Sequence, residues 1–316
     1  MKNYKMVYGT LVICFFVFIA SSIPAWADYP NRPIKILVGF RAGGGTDTMA
    51  RLLSKKVGDY LGQPVVVVNK PGGGGAIAAK EILRAKPDGY TICFNIALAF
   101  AAWPHMTKVK YTEEDFTYIS AVGKFQEAFV SLPNKNWSDW RGMISYAKQN
   151  GPLNVAALSP YDKMVLKYIS KKEGVEFNIL PTKGGSAIMT QILGNHVDFG
   201  FSGGIHYQYV KAGKMIDLAG HGQERLIGTP DVPTLKELGY NVALENYCIV
   251  SGPKGMPSDL IQKLSKAFEQ AVQDPDYQDL LENKLHFPAL YIGAEELPEK
   301  IIVMSNDFKA VAEFLK

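Results

Sequence analysis

Between Ile34 and Asn95, three near-continuous apolar runs alternate with two glycine-rich turns and two segments of helical spacing, an order that leaves few folds open. The runs are Ile34 to Phe40, Val65 to Asn69 and Thr91 to Asn95, and the helical segments are Thr46 to Leu61 and Ala76 to Ala85. A strand that is apolar along its whole length is buried on both faces, the condition of a parallel sheet covered by helices on either side. In Thr46 to Leu61, Met49, Leu53, Val57 and Leu61 recur at every fourth position and form a stripe for the sheet, leaving Arg51, Lys55 and Lys56 for solvent. The unit reads as βαβαβ.

The alternation restarts at Leu153. A strand (Leu153 to Ala157), a helix (Lys163 to Lys172), a strand (Phe177 to Leu180), a glycine turn and a helix (Ser186 to Leu193) lead to strands at Val197 to Phe201 and Met215 to Ala219. The C-terminal third differs: a strand at Tyr247 to Val250, a helix opened by Pro257, and a last helix with Leu297, Ile301, Met304, Phe308 and Val311 on one face. A chain that builds one lobe, then another, then returns needs two crossovers. They are placed near Glu127 to Val130 and Leu244 to Tyr247. The expected fold class is therefore α/β and two-lobed with a hinge of two crossover segments, residues 28–127 and 247–316 forming lobe 1 and 128–246 lobe 2.

The first 27 residues read as a targeting segment: Lys2 and Lys5, an apolar stretch from Leu11 to Ala20, and a small-x-small site at Ala25-Trp-Ala27. Cleavage after Ala27 and export follow, since the stretch is short for a membrane span. The remaining length, about 290 residues, exceeds one typical domain. With 34 Lys and Arg against 30 Asp and Glu and no block of like charge, nothing calls for a nucleic-acid partner. Cys14 leaves with the targeting segment. Cys93 and Cys248 lie in apolar runs and either pair or are buried thiols, the second reading being favoured. The five histidines show no paired-ligand spacing, so neither a metal nor another cofactor is expected.

The local feature with most chemistry in it is Gly39-Phe-Arg-Ala-Gly-Gly-Gly-Thr-Asp47, a glycine turn between the first strand and the first helix. Glycines let the chain approach a ligand closely, and a helix N-terminus supplies unpaired N–H donors with a partial positive charge. Pro71 to Gly75 and Thr182 to Ser186 repeat the design, and two lobes aiming such turns at one another would clamp a carboxylate. Arg41 is either a fork for that carboxylate or a solvated loop residue. Asp47 either recognises an ammonium or hydroxyl on the ligand or caps its helix.

Two look-alikes weigh less. Gly43-Gly-Gly45 lacks the G-x-G-x-x-G spacing of a dinucleotide fold, and the second strand ends Val68-Asn-Lys70 without an acidic residue for a ribose. Gly200-Phe-Ser-Gly-Gly204 matches the G-x-S-x-G elbow of a hydrolase, which makes a secreted serine hydrolase using Ser202 the alternative function. No oxyanion segment and no downstream Asp–His pairing accompany it, so Ser202 reads instead as a cleft or turn residue.

The sequence resembles the Bug-type solute receptors of tripartite tricarboxylate transporters from Tyr29 to near the C-terminus. The resemblance is carried by Tyr29-Pro-Asn-Arg-Pro-Ile34, Ala42-Gly-Gly-Gly-Thr-Asp47, Leu61-Gly-Gln-Pro-Val-Val66, Asn69-Lys-Pro-Gly-Gly-Gly-Gly75, Pro87-Asp-Gly-Tyr-Thr91, Asp231-Val-Pro-Thr-Leu235 and Gly252-Pro-Lys-Gly-Met-Pro257. It implies a periplasmic receptor of the type II binding-protein fold, monomeric, that captures an organic acid, acidic amino acid or aromatic acid and hands it to membrane permease subunits. It also implies that Ala42, Gly43, Gly44 and Asp47 form the first-lobe clamp and Lys183, Gly184, Gly185 and Ser186 the second, with Thr182 where the family usually has tyrosine. Ala156 to Met164 departs from the family's Ser/Gly-rich loop, making Tyr161 a candidate specificity residue, and Arg41 is also atypical. Phe40, Thr46, Asn95, Ala97, Ser159 and Ser202 complete the candidate ligand contacts.

Overall fold

The computed structural model describes residues 29–182 and 185–316. The expected targeting segment with its cleavage point after Ala27, and Lys183 and Gly184 of the candidate clamp, lie outside the described residues. The chain lays down β1 (Ile34–Val38), β2 (Val65–Asn69), β3 (Thr91–Ile96) and β4 (Phe116–Lys124) in one sheet. It then builds a second sheet from β5 (Ala128–Ser131), β6 (Leu153–Ala157), β7 (Phe177–Pro181), β8 (Phe199–Ser202) and β9 (Ile216–Gly220). Finally it returns to the first with β10 (Tyr247–Pro253) and β11 (Ile292–Gly293).

The strand orders are β2-β1-β3-β10-β4-β11 and β7-β6-β8-β5-β9. Both follow one pattern: the lobe's own second, first and third strands, then one strand arriving from the other lobe, then the fourth. The arriving strands run against their neighbours, β10 antiparallel to β3 and β4 and β5 antiparallel to β8 and β9, while β1 pairs parallel with β2 and β3. This is the two-lobed type II α/β fold expected from the sequence.

Helices cover the first sheet on both faces, as its apolar strands require. On one side α1 (Gly45–Leu61) brings Met49, Leu53 and Val57 against Ile36, Val38 and Phe94. On the other, Ala78 and Ile82 of α2 (Ala76–Ile82) and Phe100 of α3 (Ala97–Ala101) pack with Leu37 and Cys93. The second lobe is wrapped by α4 (Trp140–Asn150), α5 (Pro160–Glu173) and α6 (Gly185–Leu193). The last helix, α7 (Leu297–Phe314), buries the predicted face of Leu297, Ile301, Met304, Phe308 and Val311 and reaches both lobes. Its Ser305 hydroxyl lies 2.7 Å from His105 Nε2, and its Phe308 ring sits 5.7 Å from that of Tyr161. No helix among the described residues is long and apolar enough to cross a membrane.

Cys93 and Cys248 are both free and buried. In the β3–β10 ladder Cys93 stands opposite Ser251 and Cys248 opposite Ile96. The two thiols enter different cores on the two faces of the sheet, so a bridge is geometrically barred.

β4 and β5 were not anticipated as strands. Because β5 begins at Ala128, only Glu127 of the expected first crossover lies between strands, and the passage is Phe125 to Glu127. It runs beside the end of the second passage: the Phe125 amide donates to the Asn246 carbonyl at 2.9 Å, and the His221 amide donates to the Glu127 carbonyl at 2.9 Å.

Candidate ligand site between the lobes

The two lobes enclose a cavity of about 330 Å³, within the range of small-molecule sites. Phe40, Gly45, Thr46, Ile96 and Leu98 form the first-lobe wall. Leu158, Ser159, Gly185, Ile188 and Phe201 face them from the second lobe, Phe125 and Glu127 lie at the hinge, and Leu285 and Phe287 of the returning chain complete the enclosure. Phe287 also presses on the second-lobe turn: a Cβ on Gly204 would stand 2.3 Å from its ring, at φ +134°, so that turn needs glycine. A neighbouring cavity, also about 330 Å³, shares His286 and Phe287 and is lined by His206, Asp217 and Thr229.

The first-lobe wall owes its chemistry to the start of α1. Gly44 occupies the capping position and has no side chain to offer, and the amides of Gly45, Thr46 and Asp47 have no acceptor among the described residues. They are the unpaired first-turn donors of a helix, and Gly45 and Thr46 open onto the cavity. Asp47 turns the other way. Its carboxylate accepts from the Gly43 amide at 2.9 Å, from Arg51 Nε at 2.8 Å and from Asn69 Nδ2 at 2.7 Å, and it is 2 % exposed. Burial pushes its pKa up, but the bonds from Arg51, Asn69 and Gly43 outweigh burial and hold the carboxyl below its usual range. Asp47 thus braces the turn before α1 and does not line the cavity.

The second-lobe wall is built differently at its two corners. At the start of α5, Asp162 accepts from the amides of Leu158 and Ser159 at 2.6 and 3.0 Å, and the Ser159 hydroxyl caps the Asp162 amide in return. An internal carboxylate thus occupies both amides at this corner. The other corner is the start of α6, where Gly185 lines the cavity.

Of the candidate contacts, Phe40, Thr46, Ser159 and Gly185 line the cavity. Arg41, Ala42, Gly43, Gly44 and Ser186 are exposed outside that lining. Thr182 is spent on β6, its amide and hydroxyl both donating to the Ala157 carbonyl. Asn95 and Ala97 are fully buried, Asn95 donating to the Gly75 carbonyl at 3.0 Å. Trp103 Nε1 bonds the Gly74 carbonyl at 2.9 Å, fastening the Pro71–Gly75 turn to its own lobe, and the turn lies outside the cavity lining. Tyr161 lies in the core with its hydroxyl 3.1 Å from His221 Nδ1, which corrects its expected place on the specificity wall.

Ser202 carries a surprise. Its Oγ lies 2.8 Å from His206 Nδ1, His206 Nε2 lies 3.3 Å from Asp217 Oδ1, and the Thr229 hydroxyl donates to Asp217 Oδ2 at 2.7 Å. A histidine and an aspartate missing from the sequence reading therefore stand beside Ser202, but Asp217 Oδ1 makes no hydrogen bond among the described residues. Yet Ser202 is fully buried and contributes to the wall of neither cavity, and it meets Nδ1 where a hydrolytic serine meets Nε2. Burial, opposed by the nearby Asp217, pulls His206 below the usual histidine pKa and keeps it neutral.

Sequence reasoning missed Glu127 as a wall residue. It is 6 % exposed, faces the cavity, and has one oxygen bonded by Asn246 Nδ2 at 2.9 Å. Burial, with the Asp162 and Glu245 carboxylates adding to it against the Asn246 bond, raises its pKa to about 8. The available signal was a lone acidic residue between the apolar runs Phe116 to Phe125 and Ala128 to Leu132.

Two lobes of type II topology around a small interlobe cavity define the class of solute-binding receptors. The tripartite tricarboxylate transporter family receptor model matches residues 49–303, and the chain belongs to that family. It is 32% identical to the UPF0065 protein in the gbd 5′ region of Cupriavidus necator, over 93% of this chain and 92% of that one. It is 31% identical to protein BugT of Bordetella pertussis, over 81% and 82%. A TctC solute binding protein from Polaromonas superposes with a TM-score of 0.77 at 27% identity, covering 90% of this chain and 99% of that one. Two proteins of Rhodopseudomonas palustris share the fold: MatC with bound malate, at TM-score 0.75 and 23% identity over 90% and 100% of the two chains. The other was solved with adipate, at 0.77 and 20% over 91% and 98%.

Proposed function

We propose that this chain is a periplasmic receptor, exported with removal of its first 27 residues, that captures a small carboxylate between its lobes and presents it to a transporter permease, acting as a monomer and without covalent chemistry. The observation that carries this reading is the set of unpaired first-turn amides at Gly45 and Thr46, opening onto a cavity that both lobes enclose. The malate and adipate held by proteins of the same fold support an acid as guest.

Magnitudes say how such binding divides. A helix N-terminus contributes about 0.3 to 1 kcal/mol, up to about 2 when partly buried, against the roughly 8 kcal/mol of micromolar affinity. The rest comes from direct hydrogen bonds and from apolar surface covered by Phe40, Phe125, Phe201 and Phe287 as the lobes close. Thermal unfolding of ligand-stripped protein against a panel of organic acids tests the reading. A rise in melting temperature with one or more acids is expected, and a flat response across the panel contradicts it.

A further inference from the structure

We propose that Glu127 is a specificity-determining residue, selecting acids that carry a second, ammonium or N–H-bearing group able to donate to its free oxygen. The inference rests on carboxylate capture by the cavity and adds what the other end of the guest must be. Asn246 bonds Oε1, while Oε2 has no partner among the described residues, and Glu127 lines the cavity. A carboxyl removed from water is costly without a donor.

Among the described residues, the surroundings supply no cation to Glu127. The charges that bear on it, Asp162 and Glu245, are both acidic. Tyr161 and His221 nearby are buried, His221 with its pKa pulled down by burial to about 3. Lys284, the cation in the cavity lining, is largely exposed and paired with Asp279 at 3.2 Å. A second carboxylate placed here would add to the negative charge of Asp162 and Glu245 that already bears on Glu127. An ammonium would instead complete the site, favouring the ionised form of Glu127, whose proton passes to solvent, and forming a charge-assisted bond. The cavity thus has a carboxyl at the hinge that an ammonium can ionise and a partial positive charge at the start of α1, which suits a guest with opposite charges at its two ends.

Hexanoate, 6-aminohexanoate and adipate differ at one terminal group and form the test, titrated calorimetrically near pH 7 into ligand-stripped wild type and Glu127→Gln. Wild type should bind 6-aminohexanoate about 10-fold or more tighter than the other two, and the preference should fall to within about 3-fold in the variant. Wild-type binding of 6-aminohexanoate should also release nearly one proton, read from the dependence of the heat on buffer; the variant should release none. Glu127→Asp, which keeps the charge, should retain part of the preference. Equal affinity for the three acids, or tightest binding of adipate, overturns the inference and leaves carboxylate capture standing. No binding of any of the three by folded wild type counts against both.

Discussion

Asn246 donates from Nδ2 to Glu127 Oε1 at 2.9 Å, so a side-chain bond ties one passage between the lobes to the other. The bond sits where the lobes pivot, and Asn246 Oδ1 is buried without a partner among the described residues. The hinge therefore holds polar groups that only partly satisfy one another, a costly arrangement in a fold otherwise filled with apolar side chains.

The raised pKa of Glu127 makes stability depend on pH. The unfolded chain ionises near the ordinary value of 4.5, whereas the folded chain stays protonated to about 8. Between these values the native state binds more protons, so its stability falls as pH rises. Replacing Glu127 by Gln removes this loss: the variant should gain little over wild type at about pH 4 and a few kcal/mol by about pH 8. Parallel melting curves across that range are the check; a constant difference between the proteins contradicts a buried, neutral carboxyl.

Asp47→Ala should destabilise the first lobe by about 1 to 3 kcal/mol, since it removes the shared acceptor of the Gly43 amide, Arg51 and Asn69. Acid affinity should fall as well, because the Gly43–Thr46 turn loses the bonds that shape it. Urea unfolding and titration with the best-binding acid measure the two effects. A variant of unchanged stability would mean that Asp47 does not organise the turn.

Ser202→Ala should leave acid binding unchanged and cost about 1 kcal/mol or less in stability, the worth of one neutral hydrogen bond. Wild type should show no turnover of activated esters. Hydrolysis that disappears in the variant would revive the serine hydrolase reading.

Cys93 and Cys248 should both resist alkylation in the folded protein and react together once it unfolds. Burial pushes the Cys93 thiol up to about 12 and Cys248 higher still, leaving almost no thiolate. Intact mass after treatment with a thiol reagent, with and without denaturant, reads this directly. Modification of the native protein contradicts the burial.

The architecture was legible where the chain is repetitive. β1, β2, β3, β6 and β7 announce themselves as apolar runs between glycines, and α1 and α7 as stripes. β4 did not, because Phe116 to Lys124 places Thr117, Ser120 and Gly123 among its apolar residues. β5 did not, because its four residues follow directly on Gln126-Glu127 and merge with the hinge. The site was legible only in part for a related reason. Local spacing finds a glycine turn before a helix, but not which turn a tryptophan fastens down or which amides a buried aspartate already holds. Leu285 and Phe287 reach the cavity through a chain reversal at His286, with φ +57°, whose direction depends on the packing of both lobes.

A crystal structure with the best-binding acid from the thermal panel tests the central claim most directly. The account predicts the acid's carboxylate within hydrogen-bonding distance of the Gly45 and Thr46 amides, between the two lobes. An acid seated elsewhere, or one whose carboxylate turns away from those amides, would contradict it.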